Sequence, residues 1–139
     1  MLHCICVDPA HVSKIWPMVA GQLRTAMQNG GGDFVDIEKS TLAGEKLLWI
    51  VMEADPEPTS KTLILASAVV GLHIELGRKF CCIWACAGHE KKRWLPYIKS
   101  IEDFAKEEGC SSVQIWGRRG WGREFPDYKL VQVKLEKAL

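Results

Sequence analysis

The feature that most constrains this chain is a strand–helix–strand unit that fills residues 78–121. Residues 80–87 are apolar on both faces of an extended chain, as a strand buried on two sides requires. A short polar loop, 88–92, leads into a helix predicted over 93–108. That helix places Trp94, Ile98, Ile101, Phe104 and Ala105 on one face and Lys99, Asp103, Lys106 and Glu107 on the other. Residues 113–116 are the second strand. Two apolar strands joined by such a helix form a parallel pair with a right-handed crossover. In open α/β sheets ligands sit beyond the carboxyl ends of parallel strands. Here those ends carry the loops 88–92 and 117–123.

The rest of the chain supplies an antiparallel partner sheet and its cover. Residues 3–7 read as a first strand, and Asp8-Pro9 offers an N-cap followed by proline at the first helical position. Val12, Trp16, Val19, Leu23 and Met27 recur at spacings of three and four, which predicts one long amphipathic helix that Pro17 should kink or split. Gly30, Gly31 and Gly32 end it. Asp33 is placed to cap a second helix through Phe34, Ile37 and Leu42, stopped by Gly44. Residues 46–54 read as a central strand, 55–60 as a proline-broken connection, and 62–76 as a long strand. Its even positions are apolar, whereas Ser67, Gly71, His73 and Glu75 give the odd side polar character. Gly77-Arg78 predicts a two-residue hairpin turn, and alternation over 128–137 predicts a closing strand.

At 139 residues the chain is expected to form one domain with its own core. A net charge of +1 removes the whole-molecule field that a broad nucleic-acid surface or an anionic membrane would need. No apolar run reaches the roughly 18 residues of a spanning helix. No basic-then-apolar stretch opens the sequence, so no secretory signal is expected and a reducing cytosol is. Six cysteines fit that compartment. Cys4/Cys6 and Cys82/Cys86 alternate along strands and none forms a C-x-x-C pair, so they read as small buried hydrophobes, Cys110 included, and no metal site is expected.

Three groups of polar residues carry possible chemistry. His73 and Glu75, two apart on a strand, share a face, from which either would act as a base through a water; the plainer reading is a solvated strand end. His89 and Glu90 divide in the same way. Arg118, Arg119 and Arg123, interleaved with Trp121, suit a phosphate, a carboxylate-rich partner or a stacked base. Equally, Gly120 and Gly122 permit a tight turn in which Trp121 plugs the sheet and the arginines pair with Glu124 and Asp127. Trp16, Trp49, Trp84, Trp94 and Trp116 all fall on apolar positions of predicted elements, where core packing is expected.

The resulting order, β-α-α-β-β-β-α-β-loop-β, with Gly109-Cys110 after the long helix and Phe125-Pro126-Asp127-Tyr128 after the fifth strand, resembles the GNAT fold of acetyl-CoA-dependent N-acyltransferases along nearly its whole length. Three local pieces are similar to short GNAT-like proteins of tailed bacteriophages and prophages. They are the Leu23 to Met27 helix segment followed by glycines, the Ala43-Gly44 to Leu48-Trp49 strand entry, and the Gly117-Arg118-Arg119-Gly120-Trp121-Gly122-Arg123 loop. The resemblance implies a single mixed, mostly antiparallel α/β sheet flanked by helices.

What it implies for chemistry depends on the departures. Catalytic members cradle the coenzyme pyrophosphate on a loop of type Gln/Arg-x-x-Gly-x-Gly/Ala, because glycine lets several backbone N–H groups crowd one phosphate. The corresponding 88–94 stretch has one glycine and sets Glu90 where an anion would lie, offset in part by Lys91, Lys92 and Arg93. Ala87, Gly88, Lys91 and Lys92 remain as coenzyme-contact candidates. If Tyr128 takes the place of the family's Gly-Phe phenylalanine, Arg123 stands where a general-acid tyrosine is common and Asp127 replaces the glycine. The expectation is a chain without a cofactor: a non-catalytic virion-associated or assembly component in the host cytoplasm. It would act by protein binding, with homo-oligomerisation as an option. The alternative is an acetyl-CoA-dependent N-acyltransferase with an atypical loop.

Overall fold

The computed structural model describes residues 2–30, 33–53, 63–116, 121–132 and 135–139, apart from the side chains of residues 29, 30, 121 and 122. Strand β1 (Leu2–Cys6) is followed by Asp8, whose carboxylate accepts a hydrogen bond from the Ala10 N–H at 2.9 Å and starts a 3-10 turn over Pro9–His11. Helix α1 (Val12–Gly30) follows directly. It is one helix, not the two that Pro17 allowed. Trp16 lies before the proline, Val19, Leu23 and Met27 lie after it, and all four are buried in one cluster on the sheet, so packing holds the helix on both sides of the lost hydrogen bond. Helix α2 (Phe34–Leu42) is capped as expected. Asp33 Oδ1 accepts from Val35 N–H at 3.0 Å, and Gly44 at φ 82° turns the chain out.

Strands β2 (Leu47–Glu53), β3 (Leu63–Glu75) and β4 (Arg78–Gly88) form the expected antiparallel meander, and β5 (Ser112–Ile115) runs parallel to β4. The sheet order is β1-β2-β3-β4-β5. The hairpin turn lies one residue earlier than predicted: Glu75 pairs with Arg78, so the turn residues are Leu76 and Gly77, at φ 52° and 76°. Positive φ at both centres is the twist a two-residue hairpin needs, and it forces a leucine into a conformation that leucine disfavours.

Two further expectations are corrected. The crossover is not one helix over 93–108. Lys91–Trp94 forms a single turn (α3), Leu95–Tyr97 a 3-10 turn, and Ile98–Glu107 the packing helix α4. Pro96 explains the break, since it offers no N–H and its ring crowds the preceding turn. The closing strand over 128–137 does not form among the described residues. After the one-turn helix α5 (Trp121–Glu124) the described residues are irregular, with Leu130, Val131 and Leu135 exposed. Among the described residues the alternation has no neighbouring strand to satisfy it.

Helices α1 and α2 cover one face of the sheet over Leu48, Ile50, Val69 and Ala85, and α4 covers the other over Ala68, Val70, Cys81 and Ile83. Trp94 closes a third, adjoining cluster with Val51, Leu65 and Ala66. Beyond Val70, where β2 stops pairing, β3 outruns its cover, so Leu72 and Ile74 are exposed although they continue the apolar even row. All six cysteines are free thiols: Cys81 and Cys82 are fully buried, whereas Cys6 is exposed.

Candidate functional site

The site that topology points to lies where β4 and β5 part. Their pairing runs from Phe80↔Ser112 to Ile83↔Ile115 and is prolonged by Trp116 N–H donating to the Ile83 carbonyl at 3.0 Å and, at the other end, by Ser111 N–H donating to the Lys79 carbonyl at 2.8 Å. Among the described residues β4 then continues to Gly88 beside β3 alone. The parting coincides with a bulge. Val69 pairs with Ala85 and Val70 with Ile83, so Trp84 is the extra residue. Its indole stacks on Trp116 of the diverging strand, with ring centroids 5.5 Å apart and planes at 14°. Lys46 lies 5.7 Å from the Trp84 ring on the same face. Gly71 leaves the room, since a Cβ there would stand 2.9 Å from Trp84 Nε1.

On the opposite face, under α4, a narrow apolar cavity is lined by Trp49, Ala66, Ala68, Cys86, Trp94 and Ile98. Its volume is about 20 Å³, enough for about one water and far short of an acyl-pantetheine arm. Trp49 Nε1 is buried with no hydrogen-bond acceptor among the described residues.

The loop after β4 is crossed by exposed ion pairs that tie its side chains to β2 and α5. Glu90 adopts a left-handed conformation, φ 52° and ψ 59°, at the start of α3. Arg93 bridges Glu90 Oε2 at 2.8 Å and Glu53 Oε1 at 2.9 Å. Those two acceptors, Glu53 first, push its guanidinium pKa above the ordinary value. Lys91 pairs with Glu124 at 3.0 Å, and the His89 N–H donates to the Leu65 carbonyl at 2.8 Å. Lys92 is exposed. Gly88 has no free space either: a Cβ there would lie 2.5 Å from the Leu65 oxygen and 2.7 Å from Trp94 Nε1. A phosphate arriving here would have to displace ion pairs and find its glycine already covered by an indole.

The other sequence candidates scatter. His73 and Glu75 have different surroundings: His73 Nδ1 is 3.0 Å from the buried Cys82 Sγ and its ring lies 5.2 Å from Phe80, while Glu75 is exposed. Cys82 Sγ also donates to Gln114 Oε1 at 3.2 Å. Burial pushes the Cys82 thiol up to about 11, so it stays a thiol near neutrality. Tyr128 donates to Glu102 at 2.6 Å, and burial together with that carboxylate raises its pKa. Its proton therefore points at α4, not at the parting of the strands. Arg118 and Arg119 lie outside the described residues, as does the Trp121 side chain; Arg123 is exposed on α5. Among the described residues no group of three or more His, Cys, Asp or Glu side chains is placed to hold a metal. No helix among the described residues is long and apolar enough to cross a membrane.

Sequence reasoning missed the Glu53–Arg93–Glu90 clamp, the Lys91–Glu124 pair and the Trp84–Trp116 stack. Each joins residues 30 or more positions apart except Glu90–Arg93, whose spacing of three on a turn was the one local signal.

No family model matches the chain, and no curated protein matches it in sequence. Solved structures do match in shape. A GNAT family acetyltransferase from Staphylococcus aureus is 12% identical, with a TM-score of 0.63 over 99% of this chain and 98% of that one. Glucosamine-6-phosphate N-acetyltransferase from Arabidopsis thaliana is 15% identical, with a TM-score of 0.65 over 99% and 98%. Ribosomal-protein-alanine N-acetyltransferase from Brucella melitensis is 13% identical, with a TM-score of 0.65 over 99% and 97%. At such identities the likeness concerns the fold, and the fold is that of the GNAT acetyltransferases.

Proposed function

We propose that this GNAT-fold chain works as a protein-binding scaffold that does not turn over acetyl-CoA, and that its partners are components of a phage particle or of its assembly. One observation carries the first half: Arg93 is clamped between Glu53 and Glu90 across the loop where a coenzyme pyrophosphate would rest. The narrow cavity and the Trp94 indole over Gly88 agree with it. The second half is supported by the likeness of residues 23–27, 43–49 and 117–123 to phage-encoded chains. The Gly117–Arg123 stretch, with Arg118, Arg119, Trp121 and Arg123, is the segment assigned to the partner, because a sequence that interleaves arginines with a tryptophan suits a carboxylate-rich protein face.

Calorimetric titration with acetyl-CoA tests the first half. No saturable heat is expected, and saturable binding in the micromolar range would overturn it. Mass spectrometry of purified particles and assembly intermediates tests the second, and absence from both counts against it. A second reading, a working N-acyltransferase, is favoured by the bulge at Trp84 and the parting of β4 from β5, which leave a stretch of β4 backbone open to a ligand. The same titration decides between them.

A further inference from the structure

The β3–β4 hairpin outruns the rest of the sheet and leaves an unfilled edge. β2 pairs with β3 as far as Leu47↔Val70, whereas β3 goes on pairing with β4 as far as Glu75↔Arg78. Among the described residues no strand lies beside Gly71–Glu75 on the side that β2 has left. That stretch, Gly71-Leu72-His73-Ile74-Glu75, holds no proline and one charge, so little in it blunts an open edge. Leu72 and Ile74, which continue the α4-side row of Ala68 and Val70, are 37% and 73% exposed.

The opposite face of the same stretch carries two complementary charges, one at each end. Glu75 is exposed. Arg78, its neighbour across the turn, is directed elsewhere: its guanidinium lies 5.2 Å from the Phe80 ring and donates to Ser111 Oγ at 3.4 Å. Lys46 lies over the other end. A Cβ on Gly71 would stand 3.6 Å from Lys46 Cγ and 2.9 Å from Trp84 Nε1, so Lys46 is on the side to which Gly71, His73 and Glu75 turn. Among the described residues neither Lys46 nor Glu75 forms an ion pair. Within one copy the length of the stretch separates them.

We propose that two copies of this chain join through this edge, β3 beside β3 and antiparallel, about a two-fold axis at His73. That register uses the whole stretch: Gly71 stands opposite Glu75 of the second copy, and Leu72 opposite Ile74. Directly opposite residues of an antiparallel pair share a face. Each Glu75 carboxylate is therefore brought beside the Lys46 ammonium of the other copy, twice by symmetry. On the α4 side Leu72 and Ile74 of both copies cover one another. His73 does not crowd the axis, because its contacts with Cys82 and Phe80 draw its ring toward β4. Registers centred on Leu72 or Ile74 pair less of the stretch and move Glu75 away from Gly71. The contact is the same patch on both copies, so it closes at two, and it stands whether or not the chain binds acetyl-CoA.

Light scattering at rising concentration is expected to approach twice the 15.6 kDa of one copy. Ile74→Lys, at an exposed position, should hold the mass at one copy with unchanged far-UV circular dichroism. Glu75→Lys and Lys46→Glu, each alone, set like charges face to face and should weaken the dimer roughly tenfold, since two symmetric ion pairs are lost. Together they restore opposite charges and should restore the parent's affinity, a rescue that unspecific stickiness of the hairpin would not give. Amide exchange at residues 72–74 should slow as the dimer fills. A single-copy mass at every concentration, a dimer that survives Ile74→Lys, a charge-swapped double variant no tighter than the weaker single one, or protection that falls on β1 or β5 in place of β3 would each overturn the proposal. So would protected 72–74 amides in a monomer, which would mean that another part of the same chain covers the edge.

Discussion

Gly88→Ala separates a glycine that leaves room for a ligand from one that leaves room for the protein itself. The added methyl would stand 2.5 Å from the Leu65 carbonyl oxygen, 2.7 Å from Trp94 Nε1 and 2.8 Å from the Ala66 Cβ. None of the three can move cheaply. The Leu65 oxygen already accepts from the His89 N–H, and Trp94 is buried among Val51, Leu65 and Ala66. Overpacking against such neighbours costs about 3 kcal/mol, at the upper end of its usual range. Reduced freedom of the unfolded chain returns roughly 0.5–1 kcal/mol. The net loss of about 2 kcal/mol should lower Tm by roughly 6–10 °C in a chain of this size. Gly21→Ala is the internal control: the same chemical change on α1, where nothing lies within 4 Å of the new methyl, should raise stability by roughly 0.5–1 kcal/mol. Thermal unfolding followed by circular dichroism reads both. A Gly88→Ala protein melting within about 1 °C of the parent would refute the argument, because a methyl would then fit where the indole and carbonyl are packed.

Leu76→Asn relieves a leucine held at φ 52° beside Gly77 and creates the Asn-Gly pair that two-residue hairpins prefer; urea unfolding should show a gain of roughly 0.5–1 kcal/mol, and a loss would mean the turn is not of this type. Arg93→Ala breaks two exposed ion pairs, so the change in Tm should be small at low salt and vanish at high salt; a large, salt-insensitive loss would show that the clamp is structural. Burial pushes the Cys81, Cys82 and Cys86 thiols up to about 12, 11 and 12 from an ordinary 9.0, so the folded chain keeps protons that the unfolded chain has already released. Their contribution is therefore complete below about pH 9 and is lost as pH rises toward 11–12, and urea midpoints should fall steadily from pH 9 upward; a flat profile would count against it.

The parts of the fold visible in sequence are those set by local periodicity. Val12 to Met27 at helical spacing, Asp33 before Phe34, and the doubly apolar β2 and β4 each report a single element with its buried face. Pro17 and Pro96 show the limit of local signals. Both lie inside helical patterns, yet only Pro96 breaks one, because α1 is pinned to the sheet on both sides of its proline and the 91–107 crossover divides into two differently packed pieces. Among the described residues the 128–137 alternation makes no strand, because a strand needs a neighbour as well as a pattern. The site was the least legible part. One missing-glycine argument identified the loop, but Glu53 reaches Arg93 from 40 positions away, and no spacing rule brings them together.

That contrast bears on what the parted strands mean. A V-shaped opening between β4 and β5 reads most simply as a cleft kept for a coenzyme, yet this chain supports the opening by itself. Trp84 is the extra residue of the bulge, Gly71 vacates the space under its indole, and Trp116 leaves β5 one residue after the last pair to stack against it. Bulges bend a strand and increase its local twist, so the divergence follows from these residues without any ligand. Loss of the phosphate cradle would then leave the scaffold standing, because the contacts that splay the strands differ from those that would hold a pyrophosphate. The first set is side chain on side chain within the sheet; the second is backbone N–H groups in the loop after it, where Glu90 and Arg93 now sit. Retention of the first therefore says nothing about turnover.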